Sequence, residues 1–181
     1  MRIGIDARAL FGQHTGVGRF LSGALEAMTR DDRGHEFILY SPRPISFHTP
    51  NPRWRIAARR RIPGTNGMLW LQIYGPWLAW RGRLDVFWGP MFHLPVLMPP
   101  AVPGVVTVHD LVHLRFPQTM DRRNYLGLKT LMPPSLWRAR HITADSQATA
   151  DDLRRYMGIS ADKVSVVYPG IGREFHPRDP E

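Results

Sequence analysis

Short runs of β-branched and aromatic residues alternate with longer stretches whose apolar residues recur every third or fourth position, almost from one end of the chain to the other. That alternation predicts parallel βαβ units rather than a sandwich or a helical bundle. Ile3 and Ile5 mark a first strand, Arg2 to Asp6, followed by a loop to Thr15 that contains Gly12 and His14. Phe20, Leu21, Ala24, Leu25 and Met28 then share one face of a helix from Val17 to Met28. Phe37 to Tyr40 and Trp54 to Ala58 read as the next strands, the latter set between Pro50 and Pro52 and the Arg59-Arg60-Arg61 run. Met68 to Trp80 predicts a mostly buried helix, with Trp70, Tyr74 and Trp77 as its core stripe. Asp85 to Trp88 and Val105 to Val108 follow as strands, the second β-branched as suits burial on both faces.

From Asp121 to Arg138 the pattern is helical, with a kink or split expected at Pro133-Pro134 because an interior proline costs a helix about 3 kcal/mol. His141 to Ala144 is another strand. Asp145-Ser146 caps a helix that Gly158 ends after Met157, with Asp151 and Asp152 early and Arg154 and Arg155 late, as the helix dipole favours. Lys163 to Val167 is the last strand, closed by Tyr168-Pro169-Gly170. The expected fold class is therefore α/β: a single Rossmann-like domain, residues 1–172, with a mainly parallel sheet flanked by helices. Residues 173–181, with Pro177 and Pro180, read as a linker or tail.

Length and composition agree with one core. A chain of 181 residues suits one well-buried domain. Its 24 Lys and Arg against 15 Asp and Glu leave a net charge of +9, and Lys129 and Lys163 are the only lysines. Guanidinium groups pair bidentately with phosphate and carboxylate, so an anionic partner is one reading and genomic base composition the other. The absence of cysteine removes disulfides, thiolate zinc sites and thiol nucleophiles, and fits a cytoplasmic protein. A strand starting directly after Met1 gives no expectation of a signal peptide. Between Ile62 and Trp80 the apolar core is about 13 residues, short of the roughly 20 a membrane span needs, and five prolines interrupt Val86 to Val108.

The candidate chemistry lies at strand ends. Thr107-Val108-His109-Asp110-Leu111-Val112-His113 delivers an imidazole and a carboxylate where open α/β sheets bind their ligands. Thr15-Gly16-Val17-Gly18-Arg19-Phe20 opens the first helix, whose unpaired N–H groups suit a phosphate; a tight turn with close packing is the competing account of its glycines. His109, Asp110 and His113 offer three metal donors within five residues, but a strand-to-loop turn does not bring them to one point, and the reading is no metal site. Ser146 reads as an N-cap and not as a catalytic group. The aromatics Trp70 to Trp80, with Arg81 and Arg83 beside them, suit core packing or peripheral contact with an anionic membrane.

Taken in order, Ile3-Gly4-Ile5-Asp6, Thr15-Gly16-Val17-Gly18-Arg19, Val106-Thr107-Val108-His109-Asp110, Ala144-Asp145-Ser146 and Val166-Val167-Tyr168-Pro169-Gly170 resemble the N-terminal half of family 4 glycosyltransferases, which have the GT-B fold. The resemblance runs from Arg2 to about Phe175. It implies an acceptor-side domain of a retaining, hexosyltransferase-like enzyme of polysaccharide biosynthesis. Such an enzyme moves a sugar from a nucleotide-sugar donor to a glycan or lipid-linked acceptor, with the nucleotide sugar as co-substrate and no other cofactor. It also implies a C-terminal donor-binding domain beyond Glu181, in cis or in trans, without which the chain is inactive. By the resemblance His109 bonds the donor sugar near the anomeric centre, Gly16, Val17, Gly18 and Arg19 face donor phosphate and acceptor, and Asp110 orders the loop or binds the acceptor. The expected location is cytoplasmic, with peripheral contact at the inner membrane face.

Two other classes compete. Gly16-Val17-Gly18 partly mimics the dinucleotide fingerprint of an NAD(P)-dependent oxidoreductase, but nine residues separate Asp6 from Gly16 and the third glycine falls at Leu21. The positive charge invites a noncatalytic nucleic-acid-binding module, yet no helix carries a clustered basic face, so the expectation is no nucleic acid.

Overall fold

A computed structural model describes residues 1–12, 15–31, 33–58 and 67–170. Seven strands form one all-parallel sheet in the order β3-β2-β1-β4-β5-β6-β7. They are β1 (Arg2–Asp6), β2 (Glu36–Ser41), β3 (Trp54–Ala58), β4 (Val86–Gly89), β5 (Gly104–Val108), β6 (His141–Ala144) and β7 (Val164–Val166). Each strand's periodic apolar residues pair in register with the next, as in Ile5↔Leu39 and Val106↔Ile142.

The chain first runs outward from β1 to β2 and β3, then returns past β1 to β4 and continues to β7. Strand order therefore reverses between β1 and β4, and the crevice beyond their carboxyl ends is the switch point at which α/β folds bind ligands. Helix α1 (Gly16–Arg30) packs Leu21 and Leu25 with Ile5, Leu39 and Trp54. The opposite core holds α2 (Gly67–Gly82), α4 (Arg122–Arg138) and α5 (Gln147–Met157), through Trp70, Leu71, Met132, Leu136 and Leu153 against Phe87, Val106 and Ile142.

Three expectations need correction. Helix α4 is not split at Pro133 and Pro134 but continues through them. Buried Met132, Ser135 and Leu136 hold it against the sheet, the Ser135 hydroxyl donates to the Leu131 carbonyl, and Lys163 Nζ donates to the Leu136 and Trp137 carbonyls at its end. Tertiary packing thus outweighs two missing N–H groups. Helix α2 is largely apolar but buries only the side facing the sheet: Trp70 is fully buried, whereas Ile73 and Trp80 are exposed by 53% and 68%, and Trp77 is also partly outside the core. A short helix, α3 (Val112–Arg115), follows β5 where a loop is expected from the sequence.

The Ser146 cap is present, its hydroxyl accepting from the Thr149 N–H, and Gly158 ends α5 in the left-handed conformation. The Arg59-Arg60-Arg61 run, His14 and the tail from Arg173 lie outside the described residues. Among the described residues no helix is long and apolar enough to cross a membrane.

Candidate active site

The β4–β5 connection organises the switch point. The Met91 carbonyl accepts from the His93 N–H, closing a three-residue turn around Phe92, whose φ of +66° is unfavourable for a side chain with a Cβ. The turn folds back so closely that a Cβ on Gly89 would stand 2.5 Å from the His93 carbonyl oxygen, so this position requires glycine. The Phe92 N–H donates to the Thr107 carbonyl, which fixes the turn on β5.

That turn places two histidines. His109, just past β5, donates from Nε2 to the Pro90 carbonyl at 2.9 Å, while its Nδ1 faces Asp145 Oδ2 at 3.2 Å. The two contacts take up both ring nitrogens of His109. Phe92 and Phe20 meet the imidazole edge-on, with centroids at 5.2 and 5.1 Å. Phe20 belongs to the first turns of α1, so the glycine-bearing helix start and His109 stand side by side.

In that helix start, Thr15 is the N-cap and its hydroxyl accepts from the Gly18 N–H. The Gly16 and Val17 N–H groups remain without a partner among the described residues, as at any helix N-terminus. A Cβ at Gly16 would meet open space among the described residues, and its φ is not positive, so the turn itself does not require glycine there. Arg19 is exposed, with no carboxylate partner among the described residues.

Asp110 sits apart from this arrangement. It is exposed, and its Oδ1 accepts from the Val112 N–H at the start of α3, a loop-ordering role. His113 is buried in α3, and burial lowers its pKa against the opposing pull of Asp110. Among the described residues no three metal-ligating side chains converge.

The second histidine was not foreseen. His93 is almost fully buried beside Arg8, whose Nη2 approaches its Nε2 at 3.4 Å. Arg8 is itself clamped by Asp6 at the end of β1, with Nε to Oδ1 at 2.8 Å and Nη2 to Oδ2 at 2.6 Å, both side chains buried. Burial, reinforced by the Arg8 cation, pushes His93 down to about 4, against the weaker pull of Asp6 and of the Met91 carbonyl. A neutral ring accepting at Nε2 carries its proton on Nδ1, which has no well-formed hydrogen bond. The available sequence signal was the Asp6-Ala7-Arg8 spacing at the end of the first strand. Nothing local marks His93, which reaches the site only through the folded turn.

Arg8 and His93 line a cleft of about 480 Å³ whose walls come from the β1–α1 and β4–β5 connections, the end of β2, and the starts of α2 and α4. Another cavity, about 380 Å³, lies beside the edge strand β3 and away from these groups.

A family model described as Glycosyltransferase Family 4 matches residues 14–175. Among solved structures, HepE from Anabaena, in complex with UDP and glucose, superposes with a TM-score of 0.60 at 14% identity, covering 94% of this chain and 45% of that one. The lipopolysaccharide outer core galactosyltransferase WaaB, in its apo form, gives 0.56 at 14% identity, covering 93% and 45%. The wall teichoic acid polymerase TagF gives 0.53 at 10% identity, covering 92% and 38%. No curated protein matches. At these identities the likeness shows the fold, one Rossmann-like half of the GT-B architecture, and the chain spans less than half the length of these structures.

Proposed function

The chain belongs to glycosyltransferase family 4, and from that premise we propose that it forms the acceptor-side half of an enzyme that transfers a sugar from a nucleotide-sugar donor, with retention of anomeric configuration. The acceptor is a glycan or lipid-linked saccharide, and a second domain, in cis or in trans, holds most of the donor. The relatives' names favour polysaccharide biosynthesis: one is an outer core galactosyltransferase, one a wall teichoic acid polymerase, and HepE is described with UDP and glucose.

One observation carries the reading: through Phe20 and Phe92, the glycine-bearing start of α1 and the imidazole of His109 share one rim of the β1/β4 switch point. The Gly16 and Val17 N–H groups, with the positive end of the α1 dipole, face donor phosphate, and Arg19 adds charge one turn on. His109 forms the wall beside the anomeric carbon; because the Pro90 carbonyl and Asp145 engage both of its ring nitrogens, it shapes that wall rather than hydrogen-bonding the donor sugar as the resemblance implied. Asp110 contributes by ordering the loop that presents His109. The domain's main contribution is to hold an acceptor hydroxyl on the face of the sugar from which the diphosphate leaves.

The test is sugar transfer by the full-length protein with a panel of nucleotide sugars, with product configuration read by NMR coupling constants. Transfer with retention is expected. A protein that neither binds nor turns over any nucleotide sugar would remove this reading.

A further inference from the structure

We propose, resting on the transferase reading above, that the cleft at the β1/β4 switch point recognises a phosphate group on the acceptor, clasped between Arg43 and Arg123. The cleft is lined by Arg8, Arg43 and Arg123, by His93 and Asn124, and by Gly67 at the start of α2; no carboxylate is among its lining residues. The three arginines are not equivalent. Arg8 is matched by a buried, bidentate Asp6, so its charge is already compensated, and it is a positioning residue that holds His93 and abuts Gly67. Arg43 and Arg123 have no carboxylate partner among the described residues.

An aromatic ring places the Arg43 guanidinium, and a helix cap places the backbone of Arg123. Arg43 lies over the Phe11 ring at 4.4 Å, a cation–π contact that limits its freedom without neutralising it. Arg123 stands in the first turn of α4. There Asp121 is used as the N-cap, accepting from the N–H groups of Arg123 and Asn124 and from Asn124 Nδ2. Two exposed arginines from separate elements therefore line one concave space whose lining residues include no acid, a setting that suits an anion. A carboxylate is satisfied by one planar guanidinium fork, whereas a phosphate has oxygens enough for two. The phosphate has two chemical sources, a soluble sugar phosphate or the pyrophosphate link of a lipid-borne saccharide.

The experiment is calorimetric titration of the full-length protein with inorganic pyrophosphate, then with a soluble sugar 1-phosphate and with vesicles containing a polyprenyl pyrophosphate. Saturable pyrophosphate binding is expected. It weakens at least about tenfold in Arg43→Ala and in Arg123→Ala, the loss typical of one charge-assisted contact, and is partly restored by Arg43→Lys. Arg140→Ala serves as control, because Arg140 is exposed at the opposite end of the sheet, and it binds like the parent. The stronger of the two later ligands identifies the source. Equal weakening by Arg140→Ala, or no saturable binding, overturns the proposal. Nucleotide-sugar binding is measured on the same variants: donor binding that persists while phosphate binding is absent defeats the acceptor-phosphate inference alone, whereas absent donor binding in the parent defeats the transferase reading.

Discussion

The Phe20 ring meets the His109 ring edge-on, its centroid 5.1 Å away and the planes at 81°. The contact joins the first helix to the end of β5 across the middle of the sheet, so a shift of the glycine-bearing turn moves the imidazole with it. His109→Ala is expected to lower turnover by on the order of 10²-fold, the cost of misplacing reacting groups by about 1 Å, because the ring ties Pro90 and Asp145 together at the edge of the site. Its thermal midpoint should fall by several degrees, because Pro90 and Asp145 lose their partner, while the variant stays folded at the assay temperature. Steady-state kinetics beside a melting curve check this, and unchanged turnover in a stable variant would take His109 out of the site.

Gly16 separates a functional glycine from a merely conformational one. A Cβ there meets no described atom, and alanine is no worse than glycine in a helix. Gly16→Ala should therefore fold with equal or greater stability while losing affinity for the nucleotide sugar. Should donor affinity survive intact in the folded variant, the turn would have no role in binding phosphate.

Gly89 is the opposite case. With a Cβ placed 2.5 Å from the His93 carbonyl, Gly89→Ala must displace the turn that carries Phe92 and His93. A loss of about 1–3 kcal/mol in urea denaturation is expected, the usual cost of an overpacked site. Chemical shifts of both His93 and His109 should move together.

The Asp6–Arg8 pair is buried, so removing one partner strands the other. Asp6→Ala should cost about 3–5 kcal/mol of unfolding free energy. Replacing both residues with apolar side chains should recover much of that loss, and a double-mutant cycle by denaturant titration measures the coupling.

His93 ties stability to pH. Its folded pKa of about 4 lies below the ordinary 6.5, so between these values the unfolded chain takes up a proton that the folded one refuses. Stability should be full above pH 6.5 and fall as the pH drops toward 4, with a limiting slope of about 1.4 kcal/mol per unit. His113, lowered by burial, acts in the same direction. In His93→Gln the slope in denaturation measured across pH 4 to 7 should be visibly shallower.

Strand and helix periodicity was enough to place the parallel α/β class and nearly every element, because a strand buried on both faces and a helix buried on one leave distinct marks in any short window. Arg2–Asp6 and His141–Ala144 carry those marks plainly, as does the capped segment from Ser146 to Gly158. The glycine turn and His109 were legible as candidates for the same reason, since each sits at the end of a patterned run. Tertiary structure decided what depends on residues far apart in sequence. Packing kept α4 continuous through Pro133 and Pro134, and the sheet chose which side of the largely apolar α2 to bury. The return of the chain past β1 brought His93 to Arg8 and Asp6, 85 and 87 positions away, where a left-handed Phe92 and a close approach at Gly89 hold it. Local preference acts over a few residues, whereas a buried ion pair and the cleft beside it exist only once distant segments have given up their water together.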